Sequence, residues 1–403
     1  MVRRQGYRFR LTPSISEERL LRQLLGCSRF VWNAVLAENE YRCDQGDPLR
    51  LNYAAFCARL KMLKDRHAFL RDVHSQPLQQ TLRDLARAYQ AAFASKRSAG
   101  LPRFKKKSSS DGIRFPQGFK VERNGVYLPK IGWIGFRLSK RTRKRTIEGR
   151  IKNVTVRLEA GRWYIAFQTE RDLAEPIHEN AASAVGIDLG VAQFAAISDG
   201  SFVDGTHAFK KNERRLAFLG RRLARKVKFS ANWRKAKARL TKLHSRIANI
   251  RRDHLHKASA TISKNHAIVV MEDLRIRNMT KSTKRTVERP GRNVRAKTGL
   301  NRRILDQGWG EFRRQLAYKL AWNGGVLLLV DPRDTSRRCS ACGHVSAQNR
   351  RTQAAFVCVT CGHASNADTN AAKNILGRAG CARIACGDPS LDGSTKQEAQ
   401  CAA

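Results

Sequence analysis

The sequence predicts a multidomain protein: a β-barrel interrupted by a helical bundle, then an α/β layer that carries a cysteine-bound metal module. Three observations lead to that expectation. Apolar and polar residues alternate at 7–11 and again at 154–167, on either side of a stretch with helical periodicity. Two continuously apolar runs, 267–271 and 326–330, have the character of strands inside an α/β layer, the first covered on both faces. Two Cys-x-x-Cys pairs, Cys339/Cys342 and Cys358/Cys361, stand fifteen residues apart (343–357).

Composition narrows the function before any motif does. Across 403 residues, 79 Lys and Arg face 33 Asp and Glu, a formal net charge of +46. A compact chain this charged repels itself without a polyanion, which argues against an ordinary metabolic enzyme. At 41% hydrophobic residues it still has material for real cores, so it is not a disordered basic tail. No apolar run approaches the roughly eighteen residues of a membrane span, and the first residues lack the apolar core of a signal peptide. The expectation is a cytoplasmic nucleic-acid protein with no membrane partner.

The elements follow in order. Tyr7, Phe9 and Leu11 alternate as a strand that Thr12-Pro13 ends, and Ser14 with Glu17 forms a capping box for the next helix. That helix has an apolar stripe of Leu21, Leu24, Leu25, Val31 and Val35. A second helix starts near Asn52 and buries Tyr53, Phe56, Leu60 and Leu63. A third follows Ser75 and Pro77, with Leu78, Leu82, Leu85, Tyr89 and Phe93 on one side. From Gly112 the pattern turns to short strands, including a hairpin of 154–158 against 163–167 turned by Glu159-Ala160-Gly161, and the strand at 7–11 joins this sheet.

Past Ala182, a strand at 184–189 turns at Gly190 into a second at 193–198, and Asp199-Gly200 turns into a third. Residues 208–264 read as two long basic helices broken near Phe229-Ser230, and 274–303 as a mobile basic loop. A helix with Trp309, Phe312, Leu316 and Leu320 ends at Gly324-Gly325, and the final helix starts near Asp368. Residues 377–403 are rich in Gly, Ala and Ser and read as a disordered tail. Strand–turn–strand, helical insert, buried strand, helix, strand and final helix fit an RNase H-like α/β layer.

Such a layer can bring strand-end acids together with an acid on a helix. The candidates are Asp188, Glu272 and Asp368. Each has an ordinary alternative: Asp188 accepting from the Gly190 turn, Glu272 pairing with an arginine while Asp273 points away, Asp368 capping its helix. Their joint placement favours a site, because an acid in an apolar strand is costly unless paired or metal-bound. Two Mg²⁺ ions on such carboxylates activate water and stabilise the leaving oxygen of a phosphodiester. The four cysteines of the two pairs have the spacing of one closed, structural Zn²⁺ site. His344 and His363 support its turns. Arg103, Lys105 and Lys106 after Pro102, the run at 137–150 and the stretch 274–303 are candidate phosphate contacts. Cys27, Cys43 and Cys57, and the late Cys381, Cys386 and Cys401, have no metal-site spacing.

The segments Val185-Gly186-Ile187-Asp188-Leu189-Gly190, Val269-Val270-Met271-Glu272-Asp273-Leu274, Thr335-Ser336-Arg337-Arg338-Cys339-Ser340-Ala341-Cys342-Gly343 and Asn366-Ala367-Asp368-Thr369-Asn370-Ala371-Ala372-Lys373-Asn374-Ile375 together resemble TnpB. These proteins are carried by bacterial insertion sequences and are similar to the ancestors of type V CRISPR nucleases. The resemblance spans nearly the whole chain, including Leu101-Pro102-Arg103-Phe104-Lys105 and Gly308-Trp309-Gly310-Glu311-Phe312.

The resemblance implies an RNA-guided DNA endonuclease. Its parts are a wedge β-barrel (1–14 and 112–175), a helical recognition bundle (15–111), a RuvC nuclease domain (182–334 and 365–376) and a zinc ribbon that binds target nucleic acid (335–364). The RuvC acids fall on Asp188, Glu272 and Asp368. The partners are a guide RNA from the transposon end, double-stranded DNA and its displaced single strand, with the protein on the nucleoid when bound. Tyr53, Gln76 and Gln79 are candidates for reading the short motif beside the target. Two alternatives stay open: a nuclease-inactive RNA-guided repressor, which would be expected to lose an acid, and an accessory transposase. A cut-and-paste transposase of the Asp-Asp-Glu type would carry its Glu on the final helix, where this chain has Asp368.

Overall fold

The structure is a computed structural model that describes residues 1–47, 49–94, 100–107, 110–138, 147–284, 289 and 291–380. It divides into two compact units, Met1–Leu173 and Ala174–Ala403.

The first unit opens with β1 (Val2–Thr12) and α1 (Ile15–Asp44), then α2 (Tyr53–Arg66) and α3 (Ser75–Ala94). Six strands follow: β2 (Ser110–Phe115), β3 (Lys120–Glu122), β4 (Gly125–Leu128), β5 (Gly132–Arg137), β6 (Arg150–Glu159) and β7 (Arg162–Asp172). They form a seven-stranded sheet in the order β2-β6-β7-β1-β5-β4-β3. The first strand therefore lies inside the sheet, antiparallel to β7 from Val2↔Asp172 to Arg10↔Tyr164 and to β5 from Arg10↔Arg137. Among the described residues no pairing of β2 with β3 closes the sheet into a barrel.

Ser14 caps α1 as its sequence predicts: Glu17 N–H donates to Ser14 Oγ, and Ser14 N–H donates to the Glu17 carboxylate. The stripe from Leu21 to Val35 is buried, and so are Leu78, Leu82, Leu85 and Tyr89 of α3. These side chains belong to the same core as Ile113, Phe115, Val154, Val156, Ile165 and Phe167 of the sheet. On α2, Phe56 and Leu60 are buried while Tyr53 and Leu63 are half-buried. Phe93 departs from its stripe. It is 66% exposed at the end of α3 and stacks on Tyr89, with ring centroids 6.4 Å apart.

The second unit holds β8 (Ala184–Leu189), β9 (Ala195–Ile197), β10 (Phe202–Val203), α4 (Ala208–Ala224), α5 (Ala231–Asn265) and β11 (Ile268–Glu272). It continues with α6 (Ile276–Met279), α7 (Val294–Gln307), α8 (Trp309–Asn323), β12 (Val326–Val330), β13 (Ala355–Val357), β14 (Ala364–Asn366) and α9 (Ala367–Arg378). Its main sheet has five strands in the order β10-β9-β8-β11-β12. β11 is parallel to both β8 and β12, whereas β9 is antiparallel to β8. Ser230 breaks the basic helices where the sequence suggests, its hydroxyl accepting from Trp233 N–H as the α5 cap.

The stretch 274–303 is not the mobile loop that its weak periodicity predicts. It contains α6 and most of α7, and polar anchors do the work that an apolar stripe would otherwise do. Lys297 Nζ donates to the Met279 carbonyl at 2.6 Å and Asn301 Nδ2 to the Thr280 carbonyl at 3.0 Å, while Ile304 is buried. Residues 285–288 and 290 lie outside the described residues. At the other end α9 runs on through Gly377 to Arg378, past the predicted start of the tail. The rest of the tail from 381, with Cys381, Cys386 and Cys401, lies outside the described residues, as do 139–146 of the basic run.

Candidate active site

Asp188 ends β8, and Glu272 ends the neighbouring parallel strand. The register pairs Met271 with Ile187, so the next residues, Glu272 and Asp188, emerge side by side at the C-terminal edge of the sheet. Open α/β sheets bind their ligands at that edge. Asp368 arrives on α9, which lies directly on β8. A Cβ built on Gly186 would stand 2.1 Å from the Ala372 carbonyl oxygen and 2.8 Å from the Leu376 nitrogen, so only glycine permits this approach. Asn366, not Asp368, caps α9, accepting from the N–H groups of Asp368 and Thr369. That leaves the Asp368 carboxylate free for other work in the first turn.

Asp188 feels both of the other acids. Burial, then repulsion from Glu272 and Asp368, pushes Asp188 up to about 7, against the pull of Arg350 and the Leu189 amide. Burial also raises Glu272, although Thr335 and Arg378 oppose it. Thr335 Oγ1 donates to Glu272 Oε1 at 2.5 Å, and Arg350 Nη2 donates to Asp368 Oδ1 at 3.3 Å. Asp273 points elsewhere and pairs with Arg313 at 2.5 Å. Neither Thr335 nor Arg350 stands out as a site residue in the sequence. Arg350 is one of 79 basic residues, and Thr335 opens the segment that leads into the first cysteine pair but has no role assigned to it by sequence.

The cysteines make a tighter group. Among the described residues, Cys339, Cys342, Cys358 and Cys361 are the group of potential metal ligands whose atoms all lie within 4.8 Å of one another. The sulfurs of Cys339 and Cys361 are 3.7 Å apart, and those of Cys342 and Cys358 3.6 Å. Each knuckle closes the same way. Cys339 N–H donates to the His344 carbonyl and Gly343 N–H to the Cys339 carbonyl; Cys358 with His363 and Gly362 repeats the pattern. Gly343 and Gly362 take φ of 79° and 73°, the left-handed turn that brings each histidine carbonyl back to the first cysteine of its pair. The histidines thus contribute backbone to the turns, and the ligand group contains neither ring.

In the first unit, residues 100–107 run along α1. Trp32 Nε1 donates to the Arg103 carbonyl, and Asn33 brackets Lys105 through both of its backbone groups. Lys105 Nζ sits 3.6 Å from the centroid of the Trp32 ring, while Arg103 and Lys106 are exposed. Gln76 and Gln79 lie on the opening turns of α3 and are half-buried. Arg83, one turn beyond Gln79, covers the Tyr53 ring at 4.5 Å and so links that tyrosine to the same helix.

Comparison with known proteins adds the lineage. InsQ of Escherichia coli (strain K12), named as an inferred RNA-guided DNA endonuclease, is 48% identical over 99% of this chain and 98% of its own length. The chain belongs to the TnpB family. A TnpB relative from Streptomyces pristinaespiralis with the same activity in its name is 34% identical over 96% of this chain and 91% of its own. Family models match three stretches: "Probable transposase" at 165–283, "Cas12f1-like, TNB domain" at 309–375 and "Helix-turn-helix domain" at 1–47. The last covers a strand and one long helix in this TnpB protein. Its fold is similar to that of Cas12f1 in a cryo-EM structure of the Cas12f1–sgRNA–target DNA complex. There the TM-score is 0.52 and the identity 18%, over 90% of this chain and 82% of that one. Among the described residues no helix is long and apolar enough to cross a membrane.

Proposed function

We infer that this chain is a transposon-encoded RNA-guided DNA endonuclease that hydrolyses phosphodiester bonds with Asp188, Glu272 and Asp368. One observation carries the reading: β8, β11 and α9 bring three acids to one edge of the sheet, where burial and then repulsion from Glu272 and Asp368 push Asp188 up to about 7. Such a grouping is costly unless a cation neutralises it. An all-oxygen donor set at the edge of a sheet suits Mg²⁺, and two such ions would supply the positive charge that activates water and stabilises the leaving oxygen. Asp188, whose shift names both other acids among its causes, would have to be deprotonated to hold such a cation. Glu272 and Asp368 hold the flanks, and Arg350 supplies a fixed positive charge beside Asp368. The four thiolates of the cysteine group hold one structural Zn²⁺.

The strand order β10-β9-β8-β11-β12 supports reading the second unit as an RNase H-like RuvC domain (182–334 and 365–376) with a zinc ribbon inserted at 335–364. In the first unit, 1–14 and 112–175 serve as the wedge, a barrel by this reading, and 15–111 as the recognition bundle. The family relatives are named for RNA-guided action and the solved relative holds guide RNA and target DNA. With +46 of charge, this chain suits the same polyanions: a guide from the transposon end, the DNA duplex and its displaced strand. Tyr53, Gln76 and Gln79 read the motif beside the target, and Arg103, Lys105 and Lys106 hold phosphates. The protein works in the bacterial cytoplasm, on the nucleoid when bound.

The test is plasmid cleavage by the purified protein loaded with two different guides. Cutting should move with the guide, and Asp188→Ala should abolish it while guided DNA binding survives. Undiminished cutting by Asp188→Ala would remove the acid assignment, and cleavage that ignores the guide would remove the RNA-guided one.

A further inference from the structure

Thr335 stands where the main sheet hands over to the cysteine module. It is 3% exposed, and its Oγ1 lies 2.5 Å from Glu272 Oε1 and 3.1 Å from the Pro332 carbonyl oxygen. A hydroxyl has one proton to give. The shorter contact, to an ionisable acid, takes it, because a hydroxyl–carboxylate bond of this length is the charge-assisted kind.

The threonine is itself held from behind. Asn374 Nδ2 donates to the Thr335 carbonyl at 2.9 Å and to the Arg338 carbonyl at 2.6 Å. One turn earlier on α9, Asn370 Nδ2 donates to the same Arg338 carbonyl at 2.8 Å, and Asn370 Oδ1 accepts from Ser340 N–H at 2.9 Å. Both asparagines are buried, at 0% and 7% exposure. They sit on the helix that carries Asp368, and the segment they grip, 335–340, contains Cys339, the first thiol of the cysteine group. A satisfied buried network of this kind is rigid, whereas losing one member leaves its partners unpaired in a low dielectric.

We propose that Thr335 is the positioning residue for Glu272: its hydroxyl fixes the carboxylate toward Asp188 and Asp368, and the α9 asparagines that grip 335–340 fix Thr335. The proposal rests on the reading of those acids as a divalent-metal site. It adds that the site is completed by the zinc module rather than by the α/β layer alone. By linkage, whatever loosens the segment 335–340 weakens cation binding at the acids, and a cation at the acids tightens that segment.

The experiment uses the full chain and Mn²⁺ as the probe, titrated spectroscopically, with zinc content and guided DNA binding measured in parallel. Thr335→Val keeps the shape and removes the hydroxyl. It should raise the Mn²⁺ dissociation constant on the order of 10–100-fold, the usual cost of losing a ligand's supporting partner. Zinc content and guided DNA binding should stay as in the unaltered protein, and Thr335→Ser should recover most of the loss. Tight Mn²⁺ binding by Thr335→Val would overturn the proposal. Loss of zinc from Thr335→Val would overturn it too, since the threonine would then merely hold the module together. Asp188→Ala separates the two levels. If the unaltered chain and Asp188→Ala bind Mn²⁺ alike, the acids are no metal site and both readings fall; if only the unaltered chain binds and Thr335→Val matches it, the positioning role alone falls.

Discussion

The cysteine group and the acid group belong to the same unit and are built on opposite plans. Each cysteine pair is a local object: two thiols within one turn, closed by its own glycine at positive φ and by a histidine carbonyl five residues on from the first thiol. The acids are neighbours only because a parallel register, a helix laid on a strand and a threonine from another module bring them together. A local site keeps its geometry as long as its loop is intact. A site assembled over long range inherits every error in the packing that carries it, so changes far from its carboxylates can disable it.

The sharpest break should come at the cysteine knuckles. Structural zinc contributes folding free energy directly, on the order of 10 kcal/mol in small modules. Cys339→Ser and Cys358→Ser should therefore lose the metal and unfold 335–366, and elemental analysis with limited proteolysis would register both. A stable metal-free protein that still cuts would refute the closed-site reading. The acid site should fail by a different route, through Gly186→Ala. A methyl group there meets the Ala372 carbonyl at 2.1 Å, and the backbone of α9 cannot swing aside as a side chain would. Overpacking of this kind costs about 1–3 kcal/mol, and displacing Asp368 should cut cleavage at least tenfold with zinc content unchanged. Equal thermal stability and equal cleavage would show that α9 has slack.

The smallest of the three effects is a shift with pH. Asp188 sits up at about 7, so below that pH it holds a proton that a divalent cation must displace, and above it the carboxylate is ready. Mn²⁺ affinity should rise as pH increases from 6, about tenfold per unit for one displaced proton, and level off above about 7. Arg350 pulls Asp188 downward, so Arg350→Ala should move the levelling point to higher pH. Calorimetric titrations at several pH values would check this, and an unchanged profile in Arg350→Ala would mean that its charge does not reach the site.

Legibility follows the same division. Local chemistry reads directly from the sequence: the Ser14–Glu17 capping box, the hairpin of β6 and β7, the helix break at Ser230 and the cysteine knuckles all depend on residues a few positions apart. The acid positions are readable as residue types on the right elements, but their partners are not. Thr335 and Arg350 matter through contacts that span 63 and 18 residues, and no periodicity marks them. α7 escapes notice because Lys297 and Asn301, polar residues bonding to backbone carbonyls, hold it where a run of leucines would have announced a helix. Phe93 errs the other way. An apolar residue on the correct face is left largely exposed at the end of the helix, stacked on the ring of Tyr89.

The Gly186 contact also has a meaning in time. β8, with Asp188, leaves the ribosome long before α9, the helix that must lie on it and bring Asp368. At roughly 5–20 residues per second, the interval between positions 188 and 368 is about 10–40 s. Throughout it Asp188 has no Asp368 beside it, and for nearly half of it no Glu272 either. The basic helices α4 and α5 emerge within that window, so the nascent chain presents cations to nucleic acid before its three candidate acids are all in place.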